Sequence, residues 1–317
     1  MEQKYNKNKR NDFARKSGGR NDNRGAHRPN GNRSREWEKR PRAPKELPEQ
    51  DEFYLDSQDV NAAEAQDSEE ENTGVIIGRN AVRELLRSGR AIDKILVRRG
   101  ELEGSIVALV GEATSRGIPV VETDKSKLDA MSGFAPHQGI IAMAAEKEYC
   151  TVEDILALAE EKGEPPLIAI ADGITDPYNL GALIRCAEGV GAHGLIIPKR
   201  RAVGLTPLVS KASAGAIEHL PIAKVSNIAS TVTMLKKKGV WVYAAEAGGT
   251  PYYEVDFTGP AAIIFGSEGN GVSAINKQNS DIIVSIPMYG KVNSFNVSTA
   301  AAVLLAEASK QHRVGKK

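Results

Sequence analysis

The sequence predicts an α/β fold whose carboxyl-terminal half is a mainly parallel sheet covered on both faces by helices. From residue 167 onward, short apolar runs of strand length alternate with helical segments. That alternation is typical of a parallel sheet. Two of the apolar runs, 261–266 and 282–286, pass into glycine-rich polar loops, as AAIIFGSEGNG and IPMYGKVNSFNVS. A small α/β segment precedes this half of the chain, and an extension poor in aliphatic residues precedes that segment.

The extension, residues 1–72, is predicted to be disordered because it cannot bury enough apolar surface to offset its ordering entropy. Its charge is segregated: residues 1–46 carry 15 Lys and Arg against 6 Asp and Glu, and residues 47–71 carry 10 acidic residues and no basic ones. The net charge of +1 therefore hides a basic arm followed by an acidic spacer. A solubilising tail remains open, but the basic arm favours an RNA tether, since such tails supply non-specific phosphate affinity.

Residues 73–146 predict a small α/β domain. Its first helix is amphipathic, with Val82, Leu85 and Leu86 on one face and several arginines around it. Residues 147–166 form a predicted linker, in which Thr151 starts a capping box at the head of a helix. The predicted elements of this part are helices at 80–88, 102–116, 125–131 and 152–161 and strands at 92–97, 119–122 and 139–144.

Residues 167–317 predict the second domain. Its predicted elements are strands at 167–171, 194–197, 240–244, 261–266 and 282–286 and helices at 179–190, 210–216, 227–237 and 297–308. Ligands of open α/β sheets bind outside the carboxyl ends of the strands. The loops after 261–266 and 282–286 are therefore predicted to form a binding site, where Gly266, Gly269, Gly271 and Gly290 let the backbone approach a ligand closely.

Several classes of site are not indicated. Cys150 and Cys186 have neither metal-ligand spacing nor a disulfide framework, so we predict no metal site. No G-x-x-x-x-G-K-[ST] loop occurs, and the glycines G-x-x-G-x-G are not the dinucleotide fingerprint. No signal-peptide core or run of about 18 apolar residues is present, so a cytoplasmic protein is expected.

Three motifs in order, DPYNLGALIRCAEGVGA, GSEGNG and IPMYGKVNSFNVS, resemble those of the SpoU/TrmH family of RNA ribose 2′-O-methyltransferases. The resemblance covers residue 167 to the carboxyl terminus, and residues 74–146 resemble the family's RNA-binding domain. Within the family the sequence is most similar to the RlmB type, which acts on a guanosine of 23S ribosomal RNA. The resemblance implies S-adenosylmethionine as cofactor, a trefoil knot of the SPOUT type in the carboxyl-terminal sheet, and a homodimer that completes the active site.

The family's functional residues carry over onto the matching positions. The resemblance implies catalytic roles for Arg185, Asn179, Glu268, Ser294 and Asn296. It implies cofactor contacts, largely through the main chain, for Gly266, Ile286, Phe295, Pro287 and Met288. Phe295 stands where the family usually has Leu, and its ring is expected to pack near the adenine.

Several of these residues also have plain structural interpretations. Asn179 and Asn296 can each be the N-cap of a following helix, and Glu268 can cap a helix after Gly269. Arg185 can be a surface charge. A guanidinium whose pKa exceeds about 12 is a poor base, so we expect Arg185 to act as an electrostatic partner of the ribose hydroxyl or its phosphate.

Alternative functions also remain open. A tRNA ribose methyltransferase and an enzyme that protects ribosomal RNA against an antibiotic use the same chemistry. A non-catalytic RNA-binding protein of ribosome assembly could keep the fold. The basic residues Lys199, Arg200 and Arg201 follow a predicted strand at the ligand edge, where they can contact phosphates or form a solvated loop.

Overall fold

The computed structural model describes residues 74–314. The predicted disordered extension, residues 1–72, lies outside the described residues. The strands are β1 Val75–Ile77, β2 Ile92–Arg98, β3 Val120–Thr123, β4 Ile140–Ala144, β5 Leu167–Asp172, β6 Gly194–Pro198, β7 Ile222–Val225, β8 Trp241–Pro251, β9 Ala261–Gly266 and β10 Ile282–Ser285. The helices are α1 Arg79–Ser88, α2 Ser105–Ser115, α3 Lys125–Met131, α4 Val152–Glu161, α5 Pro177–Gly189, α6 Pro207–Ala212, α7 Ile228–Lys237, α8 Ala274–Asn279 and α9 Val297–Val314.

The amino-terminal part of the described chain forms a four-stranded mixed sheet in the order β1-β4-β2-β3. One core, which includes Leu85 and Leu109, lies between this sheet and α1 and α2. A smaller core on the other face packs Leu128 of α3 against Leu96 and Ile141. The apolar face predicted for the first helix is therefore confirmed, because Val82, Leu85 and Leu86 are buried in it.

The carboxyl-terminal part forms a six-stranded sheet in the order β10-β8-β9-β5-β6-β7, and every neighbouring pair in it is parallel. Alternate side chains of the central strands enter two cores. Ile263 packs on the side of α5 and α9, whereas Ile264 packs on the side of α4 and α7. Strands buried on both faces read as continuous apolar runs, so the predicted parallel sheet is confirmed.

The edge strands differ from the prediction. The run 282–286 was expected to be a buried strand, but β10 lies at the edge of the sheet and Ile283 is 39% exposed. Strand β8 continues well past residue 244. Ile283 pairs with Ala244 and Val284 with Thr250, so residues 245–249 lie outside the pairing between β8 and β10. This irregular stretch of β8 faces the same edge as the loops after β9 and β10.

Two predicted helices begin at the wrong residue. Helix α5 starts at Pro177 because the Asp176 side chain accepts from the backbone N–H groups of Tyr178 and Asn179 and so is the N-cap. The assignment of Asn179 as that cap is wrong. The predicted helix 210–216 is α6, which is capped by Thr206 and ends before Ala214 and Gly215, two residues with positive φ.

Other bounds differ less. Helix α2 begins at Ser105 rather than at residue 102, and α9 continues to Val314. Strands β1 and β7 and helix α8 were not predicted. The helices at 125–131 and 152–161 have the predicted bounds, and the capping box of Thr151 and Asp154 is present. No helix between residues 74 and 314 is long and apolar enough to cross a membrane.

The two sheets meet through α1 and the segment after α6. Glu84 lies 3.0 Å from Nε2 of His219, and a Cβ built on Gly215 would lie 2.6 Å from Cβ of Glu84. Arg90 lies 3.2 Å from Glu218, whose side chain is 1% exposed. Two buried charged groups therefore join the sheets.

Candidate active site

A cavity of about 570 Å³ opens at the carboxyl ends of β8, β9 and β10. Its size is typical of a pocket for a small molecule. Four segments build it: the irregular part of β8, the loop after β9, the segment after β10 and the first turns of α9. The lining residues are Ala245, Glu246, Ala247, Phe265, Gly266, Ser267, Glu268, Gly269, Gly271, Val284, Ile286, Met288, Asn293, Ser294, Phe295, Asn296, Val297, Ala300 and Leu304.

The loop after β9 is a tight turn in which the N–H of Gly271 donates to the carbonyl of Ser267. Gly269 and Gly271 have φ of 84° and 64°, a region that glycine enters without a Cβ penalty. A Cβ on Gly266 would lie 1.9 Å from the carbonyl carbon of Gly271. The absence of a side chain at Gly266 thus serves the closure of the loop on itself. Around Gly290 no atom lies within 4 Å of a built Cβ, so no close approach explains that glycine.

Glu246 is a residue of this site that the sequence reasoning missed. Its Oε2 accepts from the N–H of Val272 at 3.2 Å and lies 3.4 Å from Nζ of Lys277. The carboxylate therefore braces the far side of the Gly271 turn while it lines the cavity. The available signal was an acidic residue directly after an apolar strand. It was missed because the predicted strand 240–244 ended before Glu246.

Asn179, Glu268 and Asn296 form one hydrogen-bond network. Nδ2 of Asn179 donates to Oε1 of Glu268 at 2.8 Å, and Nδ2 of Asn296 donates to Oε1 of Glu268 at 2.8 Å and to Oδ1 of Asn179 at 2.9 Å. Asn179 is 7% exposed, whereas Glu268 and Asn296 line the cavity. The network joins the first turn of α5, the loop after β9 and the start of α9.

Asn296 is the predicted cap of α9, and its side chain also joins the network. Its Oδ1 accepts from the backbone N–H of Ser298 at 2.9 Å, which caps α9, while its Nδ2 serves the network. Because a backbone N–H can only donate, this contact identifies the amide oxygen and leaves the nitrogen facing Glu268. The structural role suggested for Glu268 is wrong. No helix starts at Gly269; the next helix, α8, begins at Ala274, and Glu268 accepts side-chain donors instead.

The remaining predicted contact residues divide into two groups. Ile286, Met288, Ser294 and Phe295 line the cavity together with Gly266, and Phe295 is 45% exposed at its edge. Pro287 is half-buried but does not line the cavity.

Arg185 lies away from this network. It is exposed on α5, it does not line the cavity, and it makes no hydrogen bond or ion pair with residues 74–314. The next residue, Cys186, faces α9, where its Sγ lies 3.7 Å from the carbonyl oxygen of Ser298. Burial raises the pKa of the Cys186 thiol, and the Arg185 charge offsets this only in part. Within one chain, Arg185 therefore lies on the surface and does not line the cavity.

Further basic and aromatic groups lie near the segments that build the cavity, outside its lining. Arg201, exposed and with φ of 58°, follows β6 at the same edge of the sheet. A Cβ on Gly173 would lie 3.9 Å both from the carbonyl oxygen of Arg201 and from Cβ of Ser267, so this basic loop adjoins the β9 loop. A hydrogen bond with Tyr289 raises the pKa of Tyr253. Among residues 74–314 no group of three or more His, Cys, Asp or Glu side chains is placed to hold a metal ion.

Two family models match the chain. Residues 166–306 match the SpoU rRNA Methylase family, and residues 75–150 match the RNA 2′-O ribose methyltransferase substrate binding family.

Individual proteins match over most of the chain. It is 42% identical over 242 residues to YacO of Bacillus subtilis, a protein assigned to the TrmH family of tRNA/rRNA methyltransferases; the match covers 76% of this chain and 97% of YacO. A crystal structure of an RNA 2′-O ribose methyltransferase is 27% identical, with a TM-score of 0.62 over 75% of this chain and 88% of that one. The SpoU methyltransferase AviRb from Streptomyces viridochromogenes, solved with AdoMet, is 24% identical and shares the fold, with a TM-score of 0.63 over 76% of this chain and 90% of that one.

Proposed function

We propose that this chain, which belongs to the SpoU/TrmH family of RNA methyltransferases, methylates the ribose 2′-hydroxyl of a guanosine in 23S ribosomal RNA. The methyl donor is S-adenosylmethionine. The observation that carries the proposal is the network of Asn179, Glu268 and Asn296, which draws three separate motifs to the edge of one cavity. The SpoU rRNA Methylase match over residues 166–306 supports ribosomal RNA as the substrate, and the name of YacO covers both tRNA and ribosomal RNA, so the experiment below includes both.

The cavity suits the cofactor in size and in chemistry. Its inner wall is apolar, with Val284, Ile286 and Leu304, and its rim has exposed backbone and polar side chains. We assign the main chain at Gly266, Ile286 and Phe295 to the cofactor, with Met288 as the apolar wall. Pro287 acts indirectly, by setting the path of the segment that carries Met288. When bound, the cofactor supplies an electrophilic methyl group on a sulfonium.

The chain's own residues position the ribose and stabilise the charge that develops on its oxygen. The network holds Glu268 by two donated hydrogen bonds to Oε1, so its orientation toward the cavity is fixed. Ser294 stands beside it at the cavity edge, where its hydroxyl can accept from or donate to the nucleotide. Both amide hydrogens of Asn296 are donated within the network, so Asn296 acts by holding Glu268 and Asn179 in place. Arg185 supplies the positive charge, as an electrostatic partner of the hydroxyl or of the adjacent phosphate.

Arg185 acts across a homodimer in this proposal. Its exposure and its distance from the lining of its own cavity support an arrangement in which it reaches the partner's site. In the same proposal the carboxyl-terminal segment is threaded as a trefoil knot, residues 73–146 are the RNA-binding domain, and the basic residues 199–201 contact RNA phosphates. Residues 1–72 then serve as the RNA tether, and the protein works in the cytoplasm.

The decisive experiment is transfer of a labelled methyl group. The full-length protein is incubated with labelled S-adenosylmethionine and separate pools of unmethylated ribosomal RNA and tRNA. Label is expected in 23S ribosomal RNA at a guanosine 2′-oxygen, located by nucleotide mapping. Label in tRNA alone would overturn the substrate, and cofactor binding without label in any RNA would overturn the reaction.

A mixed-dimer experiment tests Arg185. Arg185→Ala and Glu268→Ala are each expected to abolish transfer, and dimers that contain one subunit of each kind are expected to regain it. One active site in such a dimer combines the intact Glu268 of one subunit with the intact Arg185 of the other. Mixed dimers without activity would contradict the shared site.

A further inference from the structure

A second cavity, of about 620 Å³, lies on the four-stranded sheet and shares no lining residue with the first. The end of β2, the start of α1, α3 and the turn before β4 surround it. Its size falls in the range of small-molecule and nucleotide pockets. The reaction described above does not use this cavity.

Three cations line it. Arg79 is held in place at both ends: its backbone N–H donates to Oε1 of Gln138, and its Nε donates to the carbonyl of Gln138, each at 3.1 Å. Its terminal amino groups are not engaged by any residue between 74 and 314. Arg98, exposed at the end of β2, also has no side-chain partner in that part of the chain, and Lys125 lies 3.8 Å from Asp129. Two guanidinium groups whose terminal amino groups have no partner among residues 74–314 thus line one cavity.

An exposed aromatic ring stands at the rim. Phe134 is 83% exposed, and its φ of 60° is a backbone conformation that bulky side chains rarely adopt. The turn is held in this state because the N–H of Phe134 donates to the carbonyl of Asp129 at 2.8 Å. Residues kept in such conformations cluster at binding sites. Exposure of an apolar ring to water is unfavourable, and the backbone at Phe134 is strained. Together these two features indicate a surface that contacts a flat ligand.

Hydrogen bonds of His137 connect the turn that carries the ring to its surroundings. His137, 6% exposed, accepts at Nδ1 from the N–H of Gly139, so its remaining proton is on Nε2 and is donated to Oδ1 of Asp129 at 3.1 Å. Asp129 is therefore occupied on one side by His137 and on the other by Lys125. The His137–Asp129 contact ties the turn that carries Phe134 to α3.

The cavity also contains acceptors for hydrogen bonds. Glu101 and Glu103 also line it, and both are exposed. A plain anion site would not include these carboxylates. A nucleotide, in contrast, combines an anionic phosphate, a flat ring and amino or imino N–H donors on the base.

We propose that this cavity binds one unpaired nucleotide of the RNA substrate. Phe134 stacks on the base, Arg79 and Arg98 contact the flanking phosphates, and Glu101 or Glu103 accepts from the base edge. The inference rests on the proposed function only in taking RNA as the substrate. It assigns the four-stranded sheet a task of its own, the capture of a base that is not paired in the substrate.

The test compares four single variants of the full-length chain. Phe134→Ala and Arg98→Gln alter the site. Val107→Ala and Arg87→Gln are matched controls, because Val107 is an exposed apolar side chain of α2 and Arg87 an exposed arginine of α1, both outside the cavity. Binding of a short single-stranded RNA of mixed sequence, and of the same sequence as a duplex, is measured at about 200 mM salt, where non-specific phosphate binding is weak.

Phe134→Ala is expected to weaken single-strand binding about 5- to 100-fold, the range for one lost base stack, and to leave duplex binding unchanged. In a salt series with the same single strand, Arg98→Gln is expected to reduce the slope of log affinity against log salt by about one. Cofactor affinity and thermal unfolding should match the wild type in all four variants. Ultraviolet cross-linking of the wild type to the same single strand should modify Phe134.

The outcomes separate this inference from the proposed function. Equal single-strand binding by Phe134→Ala, Arg98→Gln and the controls overturns the nucleotide site, even if methyl transfer proceeds. Loss of binding in these two variants, in a protein that methylates no RNA, supports the nucleotide site and overturns the proposed reaction. A wild type that binds no single-stranded RNA overturns the nucleotide site as well.

Discussion

The amide nitrogen of Asn179 lies 2.8 Å from Oε1 of Glu268, although 89 positions of the chain separate the two residues. Asn179 is in the first turn of α5 and Glu268 follows β9, so the contact crosses the edge of the parallel sheet. Asn296 closes the triangle from the start of α9. A change in any member therefore disturbs the other two, which makes the network the most informative target for substitution.

Asn296→Asp should separate the helix cap from the active-site role. Aspartate caps helices as well as asparagine does, so α9 should keep its start. The new carboxylate cannot donate to Asn179 and stands next to Glu268, so the network opens. We expect methyl transfer to fall about 100-fold, a typical effect of misplacing reacting groups.

Asn296→Ala is the comparison for this prediction, since it loses the cap as well. Its free energy of unfolding should be lower than that of Asn296→Asp by about 1 kcal/mol. Transfer and urea unfolding measured on both variants provide the check. Wild-type transfer by Asn296→Asp would show that the donated hydrogen bonds are dispensable.

Gly266→Ala should disrupt the loop after β9 through a backbone clash. The new Cβ would lie 1.9 Å from the carbonyl carbon of Gly271, and neither strand β9 nor the closed turn can yield easily. We expect a loss of about 1–3 kcal/mol in the free energy of unfolding and a loss of cofactor binding by calorimetry. Gly290→Ala, in open space without a positive φ, should change stability by less than about 0.5 kcal/mol. Similar losses in both variants would refute this explanation.

Glu246→Ala should weaken cofactor binding without direct contact to the reacting groups. It leaves the N–H of Val272, a buried residue, without its acceptor and Lys277 without its ion pair. An unsatisfied buried donor costs about 1–3 kcal/mol, so a loss of about tenfold or more in affinity is expected as the turn loosens. Glu246→Gln keeps an oxygen for Val272 and should lose less. Calorimetric titration with S-adenosylmethionine decides this, and equal affinities in all three proteins would contradict the bracing role.

Glu218 should make stability depend on pH. Burial raises the pKa of its carboxyl, and the attraction of Arg90, Lys147 and His219 offsets this only in part. The pKa of Glu218 is higher in the folded protein than in the unfolded chain, where it is about 4.3. The bound proton therefore stabilises the folded state fully at pH values below the unfolded pKa. This stabilisation is lost as pH rises through the folded pKa. Glu218→Gln cannot ionise, so it should gain stability relative to the wild type as pH rises through this window.

Glu218→Leu is the control for that prediction. Leucine removes the carboxyl group that lies 3.2 Å from Arg90, whose side chain is only 14% exposed, so this variant should be destabilised at neutral pH. Urea unfolding between about pH 4 and 8 measures both differences. A difference between wild type and Glu218→Gln that stays constant, or changes in the opposite direction, would contradict the raised pKa.

Much of the local structure was predictable because its signals are local. The capping box at Thr151 and the periodic apolar residues after it predicted helix 152–161 with its observed bounds. Continuous apolar runs predicted parallel strands buried on both faces. The errors arose where competing local signals stood close together: Asp176 caps α5 three residues before Asn179, and Pro207 starts α6 three residues before residue 210.

The sequence by itself determined the α/β class, the two glycine-broken loops and the residue types of the site, since each depends on neighbours a few positions away. Only the tertiary structure decided which of these residues meet. Asn179 and Asn296 are 117 positions apart in the chain and form a hydrogen bond because α5 and α9 pack on one face of the sheet. Glu246 lines the cavity because residues 245–249 of β8 lie outside its pairing with β10. Arg185, on the same helix as Asn179, is directed to the outside of the chain. Such placements follow from the order of strands in the sheet, which no local pattern encodes.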